Sequence, residues 1–146
     1  MEIEEPRIKI GVVMASRGTM FSRTMESIIR NVKGFNFELY MSHGLTIPDC
    51  FNIPLEKALD DGCDWIWFVE EDIIAPDNTL RRMFEMGSPV VTTDCADRRT
   101  GVPLILRGIV DEVIFSGMGC MLVKRGVFER MDIPYLRQMV FWKVVE

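Results

Sequence analysis

The sequence predicts an open α/β domain in which a mostly parallel sheet carries helices on both faces. Three observations lead there. Short β-branched and aromatic runs alternate with stripes of helical period along residues 8–95. The run DWIWFV at 64–69 is apolar on both of its faces, as a central strand covered on each side requires. Each helical stripe also closes on a glycine, at Gly34, Gly62 and Gly87.

The first strand is KIGVVMA at 9–15, ended by Ser16, Arg17 and Gly18. Phe21, Met25, Ile28, Ile29 and Val32 then form one stripe of an amphipathic helix. FNFELYM at 35–41 alternates as a second strand, and the loop SHGLTIPDC leads into a helix over about 52–61 with Asn52 as its cap and Pro54 in its first turn. After the third strand come Glu70, Glu71 and Asp72, then a helix opened by Pro76 and Asp77 with Leu80, Met83, Phe84 and Met86 as its apolar positions. PVVTTDC at 89–95 is a fourth strand. Beyond Cys95 the rhythm breaks into strand pieces around turns and a short helix near 125–131, followed by an apolar tail, 132–146, that fits strand or helix equally.

The 146 residues, 48% of them hydrophobic, suit one domain with a real core. A formal charge of −5, scattered rather than blocked, offers no basic patch for a phosphate backbone, so no nucleic-acid partner is expected. Four widely spaced cysteines lack the paired spacing of a zinc or redox motif and read as reduced thiols. The start, MEIEEPRIK, is acidic where a signal peptide is basic, and no apolar run approaches the roughly 20 residues that span a bilayer. A cytoplasmic protein without a transmembrane segment is expected.

Ligands of open α/β sheets bind at the carboxyl ends of the strands. Three segments meet that condition. ASRGT after the first strand offers a hydroxyl, a guanidinium and close-approach backbone, without a dinucleotide or phosphate-loop motif. The acids after the third strand come next: alternation puts Glu70 and Asp72 on one side and Glu71 on the other, and two carboxylates suit Mg²⁺ or Mn²⁺; a solvated strand exit is the other reading. FSGMGCMLVKR at 115–125 has two glycines that fit a close ligand or a plain hairpin. Arg98 and Arg99 suit phosphate oxygens or plain solvation. His43, the one histidine, reads as a polar loop residue, and no elbow motif supports a nucleophilic triad.

Taken in order, IKIGVVMASRG, FNIPLEKALDDGCDWIWFVEEDIIAPDNTLRRM and FSGMGCMLVKRGVFERM resemble the nucleotide-diphospho-sugar-binding half of a GT-A fold, family 2-like glycosyltransferase, over about residues 8–131. The resemblance implies a Rossmann-like, mostly parallel sheet. It implies a nucleotide-binding half at about 8–95, a partial acceptor-side segment at about 96–131, and transfer of a sugar from a nucleoside-diphosphate sugar to an acceptor it does not name. Carried over by position, Asp72 and Glu70 would hold the divalent metal, Glu70 standing where the family has Asp. Ser16, Arg17, Asn52, Glu70, Glu71, Gly117 and Gly119 would contact the nucleotide sugar. The family's distal catalytic acid, and often a metal-binding His, lie beyond the point where this sequence reads DIPYLRQMVFWKVVE, so no catalytic residue is assigned. A minimal enzyme, a fragment, and a non-catalytic binding or assembly module on the same fold are the alternatives. In the last, the apolar tail would be covered by another copy or a partner protein.

Overall fold

The computed structural model describes residues 8–95, 99–102, 105–107 and 113–136. Its elements run β1 (Lys9–Ser16), α1 (Ser22–Val32), β2 (Asn36–His43), α2 (Asp49–Asp60), β3 (Trp65–Val69), α3 (Thr79–Glu85) and β4 (Val90–Thr92), then β5 (Ile105–Arg107), β6 (Val113–Ser116), β7 (Cys120–Lys124) and α4 (Arg125–Phe128). The main sheet has the order β2-β1-β3-β7-β4, and β5 and β6 form a separate ribbon.

β1 pairs in parallel with β2 and with β3, whereas β7 is antiparallel to both β3 and β4. The α/β class therefore holds, but the sheet is mixed, which corrects the expectation of a mostly parallel one. The cause lies in the connection. Thr92 sits opposite Met121, and the Thr93 N–H donates to the Cys120 carbonyl at 3.1 Å, so β4 ends at the edge of the sheet where β7 begins. A parallel neighbour needs a crossover to the far edge. Among the described residues between these strands only the β5–β6 ribbon intervenes, and β7 runs back.

Alternate residues fill two cores. Val12, Met14, Trp67 and Leu122 meet Ile28 and Val32 of α1 and Leu80 and Met83 of α3 on one face. On the other, Val13, Ile66, Phe68 and Val123 meet Leu55 and Ala58 of α2 and Phe128 of α4. Burying a side chain the size of Leu or Phe contributes about 1.5–3 kcal/mol, so these layers supply most of the driving force. α2 lies close on β1: a Cβ at Gly11 would stand 3.1 Å from Ala58 Cβ, Cys63 Sγ and Ile66 Cδ1. Among the described residues, no helix is long and apolar enough to cross a membrane.

Four local expectations change. α1 buries Ile28 and Val32 as predicted, but its remaining inward positions are the polar Thr24, Ser27 and Asn31, while Phe21 and Ile29 are 56% and 60% exposed. α2 begins at Asp49, so Asn52 is an interior residue rather than a cap and Pro54 falls in the second turn. α3 begins at Thr79, because Asn78 before it takes a left-handed conformation, φ 65°. His43 is the last residue of β2, exposed, rather than a loop residue.

Candidate functional site

Parallel pairing of β2, β1 and β3 brings their carboxyl ends to one edge of the sheet, and antiparallel pairing brings the start of β7 there, with Cys120 opposite Val69. The loop leaving β1 is shaped by its own side chains. The Ser16 hydroxyl donates to the Thr19 carbonyl at 3.1 Å and accepts the Gly18 N–H at 3.0 Å. Gly18 has φ 109°, a conformation that side chains disfavour. This turn projects Arg17 outward.

Glu71 binds that loop to the exit of β3. Its Oε2 accepts the Arg17 backbone N–H at 2.9 Å and its Oε1 accepts the Arg17 Nε–H at 2.5 Å, while its own carbonyl takes the Phe21 N–H at 3.3 Å. The carboxylate is nearly buried, with 11% of its side chain exposed, against 84% for Arg17. The backbone N–H of Arg17, and after it the guanidinium, hold the Glu71 carboxyl below the usual carboxylate range.

Glu70 is placed differently. Its N–H donates to the Gly119 carbonyl at 3.0 Å, and a Cβ at Gly119 would stand 3.7 Å from Glu70 Oε2 and 3.4 Å from Ile73 Cδ1. Burial, then the charges of Asp72 and Glu71, push the Glu70 carboxyl up. Asp72 borders two cavities at once. One, about 310 Å³, is formed by the ends of β1 and β3 with Ser16, Arg17 and the three acids, and is lined on its apolar side by Leu45, Ile47 and Phe51. The other, about 810 Å³, runs between Phe21 and Arg23 at the start of α1, Ile73 to Pro76, and Thr93, Asp94 and Cys95 after β4.

Of the residues chosen from sequence, Ser16, Arg17, Glu70, Glu71 and Asp72 border the smaller cavity together, with Gly119 packed behind Glu70. Asn52 is turned away: its Nδ2 donates to the Leu136 carbonyl and its Oδ1 accepts the Leu136 N–H, each at 2.9 Å. Gly117 precedes β7 and borders neither cavity. Arg98 and the tail from 137 lie outside the described residues. Sequence reasoning passed over Phe21, Arg23, Thr93 and Asp94, although the last two follow a strand at the carboxyl edge, the same signal that found Glu70 to Asp72.

Among the described residues no group of three His, Cys, Asp or Glu side chains is disposed to hold a metal ion by itself. Glu70, Glu71 and Asp72 against Arg17 leave a formal balance of −2, three negative charges and one positive. Glu71 is engaged by Arg17, and the other two carboxylates that border the smaller cavity are Glu70 and Asp72. That set fits Mg²⁺ or Mn²⁺ arriving with phosphate oxygens, since such ions are commonly held by one or two carboxylates plus substrate phosphates.

No protein-family model matches the chain, and no curated protein matches it. Among solved structures, the crystal structure of A197 from STIV is similar, with a TM-score of 0.56 at 18% identity over 86% of this chain and 69% of that one. At this identity the likeness is one of fold.

Proposed function

We propose that the chain is a metal-dependent glycosyltransferase that binds a nucleoside-diphosphate sugar at the carboxyl edge of its sheet. The observation that carries this reading is the position of Asp72, which borders both the 310 Å³ and the 810 Å³ cavity. A group bound there faces two compartments, one for a nucleotide and one for the sugar and the acceptor hydroxyl. The β2-β1-β3 half, with its loops, is read as the nucleotide-binding half of a Rossmann-like GT-A sheet in which β7 is inserted antiparallel. Leu45, Ile47 and Phe51 offer an apolar slot for the base. Arg17 stands ready for a phosphate oxygen, and Asp72 with Glu70 would hold the cation. When bound, Mn²⁺ or Mg²⁺ supplies the positive charge that stabilises the departing nucleoside diphosphate.

Titration with uridine, guanosine and adenosine diphosphates, with and without Mn²⁺, tests the donor site. Binding that requires the metal and is lost in Asp72→Ala is the expected result. If none of the three binds, or if Asp72→Ala binds as well as the parent, the donor-site reading falls. Metal-dependent release of sugar from a nucleotide sugar would establish turnover, whereas tight binding without it would favour the non-catalytic module.

A further inference from the structure

We infer that Glu71 is a positioning residue whose buried carboxylate aims the guanidinium of Arg17 at a diphosphate lying beside Asp72. The inference rests on the donor-site reading and adds to it a division of labour among the three acids. Glu71 is 8% exposed as a residue, its Oε2 accepts the Arg17 backbone N–H, and its Oε1 accepts the Arg17 Nε–H. Its charge is therefore directed at Arg17. Arg17 is the reverse: its Nε and N–H are committed inward, while the side chain is 84% exposed and borders the 310 Å³ cavity with Asp72. A guanidinium held at Nε keeps its two Nη groups as a fork, the geometry that takes phosphate oxygens bidentately.

The pairing also explains why one arginine can serve an anion among three acids. Arg17 offsets one of the three negative charges, and one divalent cation cancels the formal −2 that remains; cation and guanidinium then face the diphosphate from two sides. Lysine cannot do the same work. Its single ammonium can meet either Glu71 or the phosphate, and it lacks the planar fork.

The test uses the full chain with uridine and guanosine diphosphates plus Mn²⁺, each compared with its parent nucleoside by NMR titration, and with inorganic pyrophosphate. Charge-assisted hydrogen bonds of about 1.5–3 kcal/mol correspond to roughly a tenfold to hundredfold change in affinity. Glu71→Gln, Arg17→Lys and Arg17→Ala are each expected to lose at least about tenfold for the diphosphate while nucleoside binding stays within about twofold. Glu71→Gln is expected to add nothing further in an Arg17→Ala background. Unchanged diphosphate affinity in Glu71→Gln overturns the inference and leaves the donor-site reading standing. A parallel loss for nucleoside and diphosphate shows a merely structural role and also overturns it. Pyrophosphate binding that depends on both residues, with no preference for any nucleotide, supports the inference and removes the sugar-nucleotide reading. A parent protein that binds neither pyrophosphate nor nucleoside diphosphate overturns both.

Discussion

Ser42 completes the helix turn that Pro54 leaves open. The hydroxyl of Ser42, at the end of β2, donates to the Cys50 carbonyl at 2.6 Å, and Cys50 lies four residues before Pro54 in α2. Proline has no N–H for that carbonyl, and a buried carbonyl left without a donor is costly. Ser42→Ala is therefore expected to destabilise the fold by about 1–3 kcal/mol. In a Pro54→Ala background the alanine N–H serves the same carbonyl, and the Ser42→Ala penalty is expected to shrink. A urea-denaturation double-mutant cycle measures this coupling, and strictly additive losses would show that the two positions are independent.

Asn52 is expected to act on the chain rather than on a ligand. Its amide clamps the Leu136 backbone from both sides, next to the edge-to-face pair of Phe128 and Tyr135 at 5.6 Å. Asn52→Ala should cost about 1–3 kcal/mol and accelerate hydrogen exchange at the Leu136 amide. Diphosphate affinity should stay within about twofold. A tenfold loss of affinity with unchanged exchange would return Asn52 to the ligand site.

The alternation of β1, α1, β2, α2, β3 and α3 was legible because each element's period is written locally in Ile10 to Met14, Ile28 to Val32 and Trp65 to Val69. The place of β7 was not, since LVK at 122–124 does not say which strands it will separate; that follows from where β4 ends. The inward face of α1 was misread for a related reason. Ile29 and Phe21 outrank Ser27 and Asn31 in hydropathy, but Ser27 and Asn31 meet unpaired backbone groups of a loop more than forty residues away, as the 3.2 Å bond from the Ala75 N–H to Ser27 Oγ shows. The acids were found by composition and order. Their roles became distinct only through Arg17, whose turn is built by Ser16 and Gly18.

Glu70 is expected to be held at a cost to stability. Burial and the charges of Asp72 and Glu71 raise its carboxyl above the ordinary value of 4.5. A folded-state value above the unfolded one means that folding favours the protonated form, so stability falls as pH rises from the ordinary value through the raised one. Glu70→Gln removes that loss. The variant should melt higher than the parent at neutral pH, and the two should converge once the pH is below the ordinary glutamate value. Thermal melts across this range check the sign, and a variant that melts lower at neutral pH would refute it. If Glu70 also helps hold Mn²⁺, the ion should raise the melting temperature of the parent more than that of Glu70→Gln.

Asn31 caps a helix to which it does not belong. Its Oδ1 accepts the Leu80 N–H at 3.0 Å, in the first turn of α3, and its Nδ2 donates to the carbonyls of Pro76 at 3.0 Å, Ala75 at 3.3 Å and Ser27 at 2.9 Å. Asn78, at the N-cap position of α3, makes no side-chain cap bond of its own. A seven-residue helix does not persist alone, so α3 depends on this contact and on Leu80 and Met83. Asn31→Ala strands the Leu80 N–H and the Ala75 carbonyl, whereas the Pro76 carbonyl keeps the Thr79 N–H and hydroxyl, and the expected loss is about 2 kcal/mol. Asn31→Asp separates the two functions of the amide. Its carboxylate still accepts from Leu80 but faces carbonyl oxygens without a proton, so at neutral pH it should be no better than alanine. Once protonated it can donate to one of them, and its stability relative to Asn31→Ala should recover as the pH falls into the carboxyl range. Urea denaturation of both variants at neutral and acid pH, with hydrogen exchange over Ile73 to Leu80, would show it. A pH-independent gap between the two would mean that the carbonyl of Ala75 does not need the donor.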